Sequence, residues 1–196
     1  MEIRNFYILI ASICITTTAI WLSAYNIVRL GIDPIEYIKS GGNVFEEDQD
    51  DDIVVTIRGN VKEELKLTLS DIKSSKYRQI TDDFDFKNSY GREWTTEYTG
   101  ATLWSILEAE GLLESDSSTF VFIGEDGYES PTPLSIKDIA EKYEDKVILA
   151  YEVEGSQLVE TGPIRSIIDR EVIENENIDY PNSQFAVQNL RYIEIE

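Results

Sequence analysis

The sequence contains no histidine, and its only cysteine, Cys14, lies within an apolar run. Without imidazole the chain lacks the usual general base, the commonest metal ligand and the side chain that changes charge near neutral pH. Ser-His-Asp and Cys-His catalysis are thereby excluded. A lone cysteine in an apolar run also excludes an intrachain disulfide, a zinc-thiolate site and a soluble cysteine nucleophile. The one methionine is Met1. Positive charge is scarce as well, with 17 Lys and Arg against 38 Asp and Glu, a formal net charge of −21. Such a chain repels phosphate backbones, and no basic stripe interrupts it, so nucleic acid is excluded as a partner.

What is present supports one ordinary core: 196 residues, 42% of them hydrophobic, suffice for a single domain. No internal repeat is visible. The segment Asn5–Val28, "NFYILIASICITTTAIWLSAYNIV", carries no charge and is bracketed by Arg4 and Arg29. As a helix it would reach about 36 Å, against a hydrocarbon core of roughly 30 Å. Tyr7 near one end and Trp21 and Tyr25 near the other suit the two interfaces. Small residues at Ala11-Ser12 and Ser23-Ala24 offer a competing cleaved signal peptide, but the apolar region is long for that purpose. Cys14 follows a sequence only loosely like a lipoprotein box and reads as a buried apolar side chain. Residues 1–30 therefore read as a retained single-span anchor in the cell membrane. The short tail is expected inside and the long domain outside, as for a start-proximal signal anchor.

Residues 31–52, "GIDPIEYIKSGGNVFEEDQDDD", combine Pro34, Gly41-Gly42 and an acidic run from Glu46 to Asp52. Self-repulsion and glycine flexibility predict an acidic tether. Calcium capture is the other use of such carboxylates, but the run lacks the spacing of a calcium loop.

From residue 53 to 196 the pattern predicts one mixed α+β domain. "IVVTIRGNV" and "ELKLTL" alternate as a hairpin turning at Gly59-Asn60, and Ser70 with Asp71 is placed to cap a short helix over "DIKSS". "YRQITDDFDF" returns as a strand with Ile80, Phe84 and Phe86 inward. "SYGREWTTEYTG" reads as a polar strand ending in a Tyr-Thr-Gly corner, with Thr99 or Gly100 starting a helix. That helix turns Leu103, Ile106 and Leu107 inward, buries Trp104 and exits at Gly111. "STFVFIGEDGY" is a strand leading to an Asp126-Gly127 turn. "SIKDIAEKY" is an amphipathic helix with Ile136, Ile139, Ala140 and Tyr143 inward. "KVILAYEVEGSQL" is an apolar strand with a Glu154-Gly155 turn, and "NLRYIEIE" closes the chain as an alternating strand.

Four pieces in order, "VTIRGNVKEELKLTLSDI", "TEYTGATLWSILEAEGL", "FIGEDGYESPTPL" and "VILAYEVEGSQLVETGPIRSII", resemble the molybdopterin-binding domain of the sulfite oxidase family over residues 53–196. The resemblance implies that family's mixed-sheet fold and a molybdenum-pterin cofactor whose metal is bound by one cysteine thiolate upstream of the Tyr-Thr-Gly position. Here that region reads "ITDDFDFKNSYGREW", which offers no sulfur. The expected cofactor is therefore none, with molybdopterin as the alternative. Of the basic lining that holds the pterin phosphate in the family, Arg165 in "TGPIRSII" remains, and Tyr128 is the second residue that could touch a pterin-like ligand. The plainer readings are a salt bridge from Arg165 to a carboxylate and a turn with a packed Tyr128.

No catalytic residue and no metal ligand is assigned. Asp82, Asp83 and Asp85 with Glu93 and Glu97 could supply a glycosidase-type carboxyl pair only if two opposed each other across a cleft, one with a raised pKa. Trp94 and Trp104 read as packing residues before groove residues. The expected function is a tethered, extracytoplasmic binding or assembly module with a protein partner in the membrane or envelope. The alternatives are a molybdopterin-dependent oxidoreductase using an oxygen ligand or one supplied by a partner, and cation-dependent adhesion. A retained anchor has a direct consequence: the full chain stays in the membrane pellet after alkaline carbonate extraction, and a chain lacking residues 1–30 moves to the supernatant.

Overall fold

The computed structural model describes residues 52–159 and 162–196. The expected anchor and all of the tether before Asp52 lie outside these residues. Among the described residues no helix is long and apolar enough to cross a membrane. In chain order the elements are β1 (Ile53–Gly59), β2 (Leu65–Thr68), α1 (Leu69–Ile72), β3 (Gln79–Lys87), β4 (Glu93–Thr102) and α2 (Leu103–Glu110). They continue with β5 (Thr119–Gly124), β6 (Leu134–Ser135), a π-helical turn (Ile136–Glu141), β7 (Val147–Val153) and β8 (Ser156–Gln157). Last come β9 (Arg165–Ile168), α3 (Arg170–Asn175) and β10 (Leu190–Ile195).

Two mixed-order sheets with few helices result. The first runs β2-β1-β10-β5-β6 and the second β3-β4-β7-β8, with β9 also paired to β7. β1 and β10 pair in parallel, Thr56 facing Tyr192 and Gly59 facing Ile195. The other pairings are antiparallel. The first and last described strands thus meet inside one sheet, so that sheet is complete only when β10 is in place.

The apolar run of β7 has a simple cause: the strand is buried on both faces. Val147, Leu149 and Tyr151 enter the main core with Leu103, Ile106 and Phe120. Ile148 and Ala150 enter a second core with Phe84, Phe86, Tyr98 and Ile167. In that second core Trp94 stacks on Phe86 at 5.3 Å between ring centroids, and Tyr98 meets Phe84 and Phe86 edge-on. The inward assignments for Phe84 and Phe86 and the packing role of Trp94 thus hold.

Four local expectations are corrected. Thr68, not Ser70, caps α1; its hydroxyl accepts from the Asp71 amide while Asp71 accepts from the Thr68 amide, a reciprocal capping box. β4 does not turn at Tyr98-Thr99-Gly100 but continues to Thr102, which caps α2. The pairing with β7 shifts between Thr99 and Gly100, so Gly100 marks a bulge where the strands close in. A Cβ there would lie 2.4 Å from the Leu149 carbonyl oxygen. Trp104 is only half-buried, packed on the margin of the main core. The "SIKDIAEKY" helix is a single π-helical turn capped by Ser135, although Ile136, Ile139 and Ala140 do face inward. Gly111 ends α2 in the left-handed region, φ 59°, as expected of a helix-terminating glycine.

Phe84 is fully buried, so Phe84→Ala should destabilise the domain by about 3–5 kcal/mol. Urea unfolding followed by tryptophan fluorescence measures this, with the fully exposed Tyr90→Ala as a control expected within about 0.5 kcal/mol of the parent.

Candidate functional site

The region where the resemblance places a metal-binding thiolate is the hairpin of β3 and β4. Its nine paired positions run from Gln79–Ala101 to Lys87–Glu93. Alternation splits the hairpin into two faces. Ile80, Phe84, Phe86, Trp94 and Tyr98 fill the second core, so the aromatic residues of the two strands point inward. The opposite face carries Thr81, Asp83, Asp85, Thr95, Glu97 and Thr99, with Thr81 and Thr99 joined through their hydroxyls at 2.9 Å and Thr95 donating to Asp85 at 2.5 Å.

β3 is an edge strand, and its outward backbone groups need partners. Two side chains from the following segment supply them. Asp169 Oδ1 accepts from the Glu171 amide at 2.8 Å, capping α3, while its Oδ2 accepts from the Asp85 amide at 2.9 Å. Asn182, also buried, accepts from the Lys87 amide and donates to the carbonyls of Asp85 and Ile168, all within 2.9 Å. Asn182 and Asp169 thus act as a side-chain strand along the end of β3.

Arg170 reinforces this clasp. Its guanidinium lies 2.9 Å from Glu93, 3.8 Å from Asp85 and 3.6 Å from Glu174, and Lys87 pairs with Glu93 at 3.5 Å. The hydrogen bond from Arg170 holds the Glu93 carboxyl below its usual range, and Arg170 itself is raised by the same contact. Lys146 does the same for Asp82, at 3.0 Å. Between the hairpin turn and the segment after α3 lies a groove of about 540 Å³, lined among others by Lys87, Ser89, Gly91, Arg170, Asp179 and Tyr180. A second groove of about 410 Å³, lined by Ser135, Asp138 and Glu176, shares Ile178, Asp179 and Tyr180 with it.

The glycosidase reading fails on this geometry. Its acid must be held protonated by burial, whereas Asp82 and Glu93 are shifted downward by cationic donors. Asp83 and Glu97 face each other across adjacent strands on an exposed surface, not across a cleft. Among the described residues no three of His, Cys, Asp and Glu are placed to hold a metal ion together.

Arg165 and Tyr128 sit on different elements. Arg165 begins β9; its Nη1 donates to the Tyr98 hydroxyl at 3.3 Å and its Nε to the Ala186 carbonyl at 3.4 Å. Its partners are thus neutral oxygens and not the carboxylate anticipated from composition. Tyr128 follows the Asp126-Gly127 turn and donates its hydroxyl to the Gln184 carbonyl at 3.0 Å. At 45% exposure it is no packed tyrosine. The segment Gln184–Ala186 touches both residues.

Sequence reasoning missed Asp169, Arg170 and Asn182. "DREVI" carries a legible helix-start signal, an Asp before two apolar residues. Asn182 has no such signal, since its three partners come from distant segments.

Residues 42–172 match the family model described as "Oxidoreductase molybdopterin binding domain". The crystal structure of the sulfane dehydrogenase SoxCD from Paracoccus pantotrophus is similar at a TM-score of 0.56 and 19% identity, over 75% of this chain and 38% of that chain. This chain therefore spans well under half the length of that one, and the likeness concerns the fold. No match emerges among curated protein sequences.

The hydrogen bonds from Lys146, Arg170, Lys76 and Lys142 lower Asp82, Glu93, Glu110 and Glu176 respectively. Depressed carboxyls add stability above their unfolded pKa and lose it as pH falls through the folded value. Thermal midpoints should therefore fall progressively below about pH 5, and Arg170→Met should flatten part of that slope, most visibly at low salt. Calorimetry from pH 7 to pH 3 checks both.

Proposed function

The chain belongs to the oxidoreductase molybdopterin-binding domain family, and from that premise we propose that it uses the family's fold as a membrane-anchored binding or assembly module without a catalytic molybdenum centre. The observation that carries this reading is the donor set. Molybdenum in this family asks for a thiolate, and the chain has one cysteine, Cys14, in the apolar run expected to cross the membrane. Soft centres do not exchange thiolate for carboxylate without loss of affinity.

The residues around the expected metal position do not fit the group either. Phe84 and Phe86 are committed to the second core. Asp82, Asp85 and Glu93 are balanced by Lys146 and Arg170. Arg165, the one guanidinium of the "TGPIRSII" segment, already donates to Tyr98 and Ala186, so a dianionic phosphate would have to displace those bonds. What the fold offers instead is a stiff hairpin beside a long double groove, the kind of surface that serves recognition.

The second reading, a molybdopterin-dependent oxidoreductase whose metal takes an oxygen ligand or one from a partner, draws on the family match alone. The full chain purified from its own membranes separates the two. Elemental analysis should give far less than one molybdenum per chain, and oxidised extracts should lack pterin fluorescence. Stoichiometric molybdenum would defeat the module reading.

A further inference from the structure

The tip of the β3–β4 hairpin carries two side chains that the rest of the fold does not use. Tyr90 is 96% exposed, yet the turn presenting it is firmly built. Asn88 Oδ1 accepts from the amides of Tyr90 and Arg92, both at 3.0 Å, and the Asn88 amide donates to the Arg92 carbonyl at 3.0 Å. Gln184 braces the tip against the body by donating to Ser89 Oγ at 2.9 Å. Arg92 is exposed, and its guanidinium has no ion pair among the described residues, while the carboxylate of Glu93 is shared by Lys87 and Arg170. Arg92 thus offers an exposed positive charge at the tip without a salt bridge among the described residues. Across the 540 Å³ groove, whose wall includes Ser89 and Gly91, Asp179 is likewise exposed and free of ion pairs among the described residues. Beside it Tyr180 is 41% exposed.

Tyrosine and arginine are the residue types that dominate binding hot spots, and a ring held on a rigid turn loses little freedom when it is buried. We infer that the β3–β4 tip and the adjoining groove form a docking surface for a folded protein partner. That partner receives Tyr90 in an apolar hollow, sets a carboxylate against Arg92 and a lysine or arginine against Asp179. The inference rests on the binding-module reading and names its surface. Two unpaired charges of opposite sign on the two sides of one groove call for a partner that carries both signs, which a neutral glycan does not. A membrane surface is disfavoured by the chain's net charge of −21, since anionic headgroups repel it.

The test uses the full chain in its own cells, with a benzophenone amino acid replacing Tyr90 or Tyr180, and Asp116 as the control position. Asp116 hydrogen-bonds Asn60 in the other sheet's loops and lines neither groove. Irradiation should give an adduct to one and the same protein from positions 90 and 180 and none from 116. Arg92→Glu should lower the yield at position 90 at least about tenfold, with Arg92→Lys retaining most of it. The crosslinked partner peptide should lie beside an Asp or Glu whose change to Lys restores the Arg92→Glu chain. Lipid or glycan adducts, equal adducts from position 116, no adduct at all, or a yield indifferent to Arg92→Glu would each overturn the surface. These side chains are exposed, so thermal midpoints matching the parent confirm that the variants fold. Stoichiometric molybdenum in the crosslinking chain removes the module reading and leaves the surface standing; metal-free chain without adducts does the reverse.

Discussion

The outer edge of β3 is closed by side chains, and this closure ties the β3–β4 hairpin to α3. An edge strand exposes backbone donors and acceptors that invite another chain. Here one carboxylate and one amide close it: Asp169 and Asn182 take the Asp85 and Lys87 amides and the Asp85 carbonyl. Both are buried, where an unpaired polar group is costly and a satisfied one fixes geometry. The same Asp169 caps α3, so helix and strand are joined through a single side chain. That junction sets Arg170, the first residue of α3, beside β3 and the groove.

The hairpin is anchored from its other side by packing. β7 lies between two cores, and its alternate residues serve each in turn. The second core holds the aromatic residues of β3 and β4, leaving the opposite face to Thr, Asp and Glu. That partition explains why a segment with so many acids is still a well-formed strand: its phenylalanines bind it to the body while the carboxylates meet Lys146 and Arg170 at the surface. The ionic contacts are exposed and individually weak; their role is to orient the arm, and the apolar face supplies its stability.

A fold and the chemistry it hosts are separable. This chain's family membership rests on a match over residues 42–172. The described residues contain no cysteine and no methionine. The strands of the β3–β4 hairpin carry core aromatic residues and carboxylates paired with Lys146 and Arg170, and Tyr90 stands exposed at its tip. Arg165 directs its guanidinium to a tyrosine hydroxyl and a backbone carbonyl.

The sequence by itself determined the elements whose signals are local. The hairpin of β1 and β2, the inward phenylalanines of β3, the helix ending at Gly111 and the apolar β7 all follow from alternation, periodicity and glycine placement. It also determined the absence of imidazole and of any thiolate beyond Cys14, because composition cannot be altered by folding. Only the tertiary structure decided which strands became neighbours, including the parallel pairing of β1 with β10, and that β4 passes through Gly100 as a bulge. It alone brought Asn182 to β3, a partner 95 residues away along the chain. Such contacts leave no local trace, since an asparagine has the same intrinsic preferences whether it faces water or closes a distant strand; the difference lies in what the folded chain places beside it.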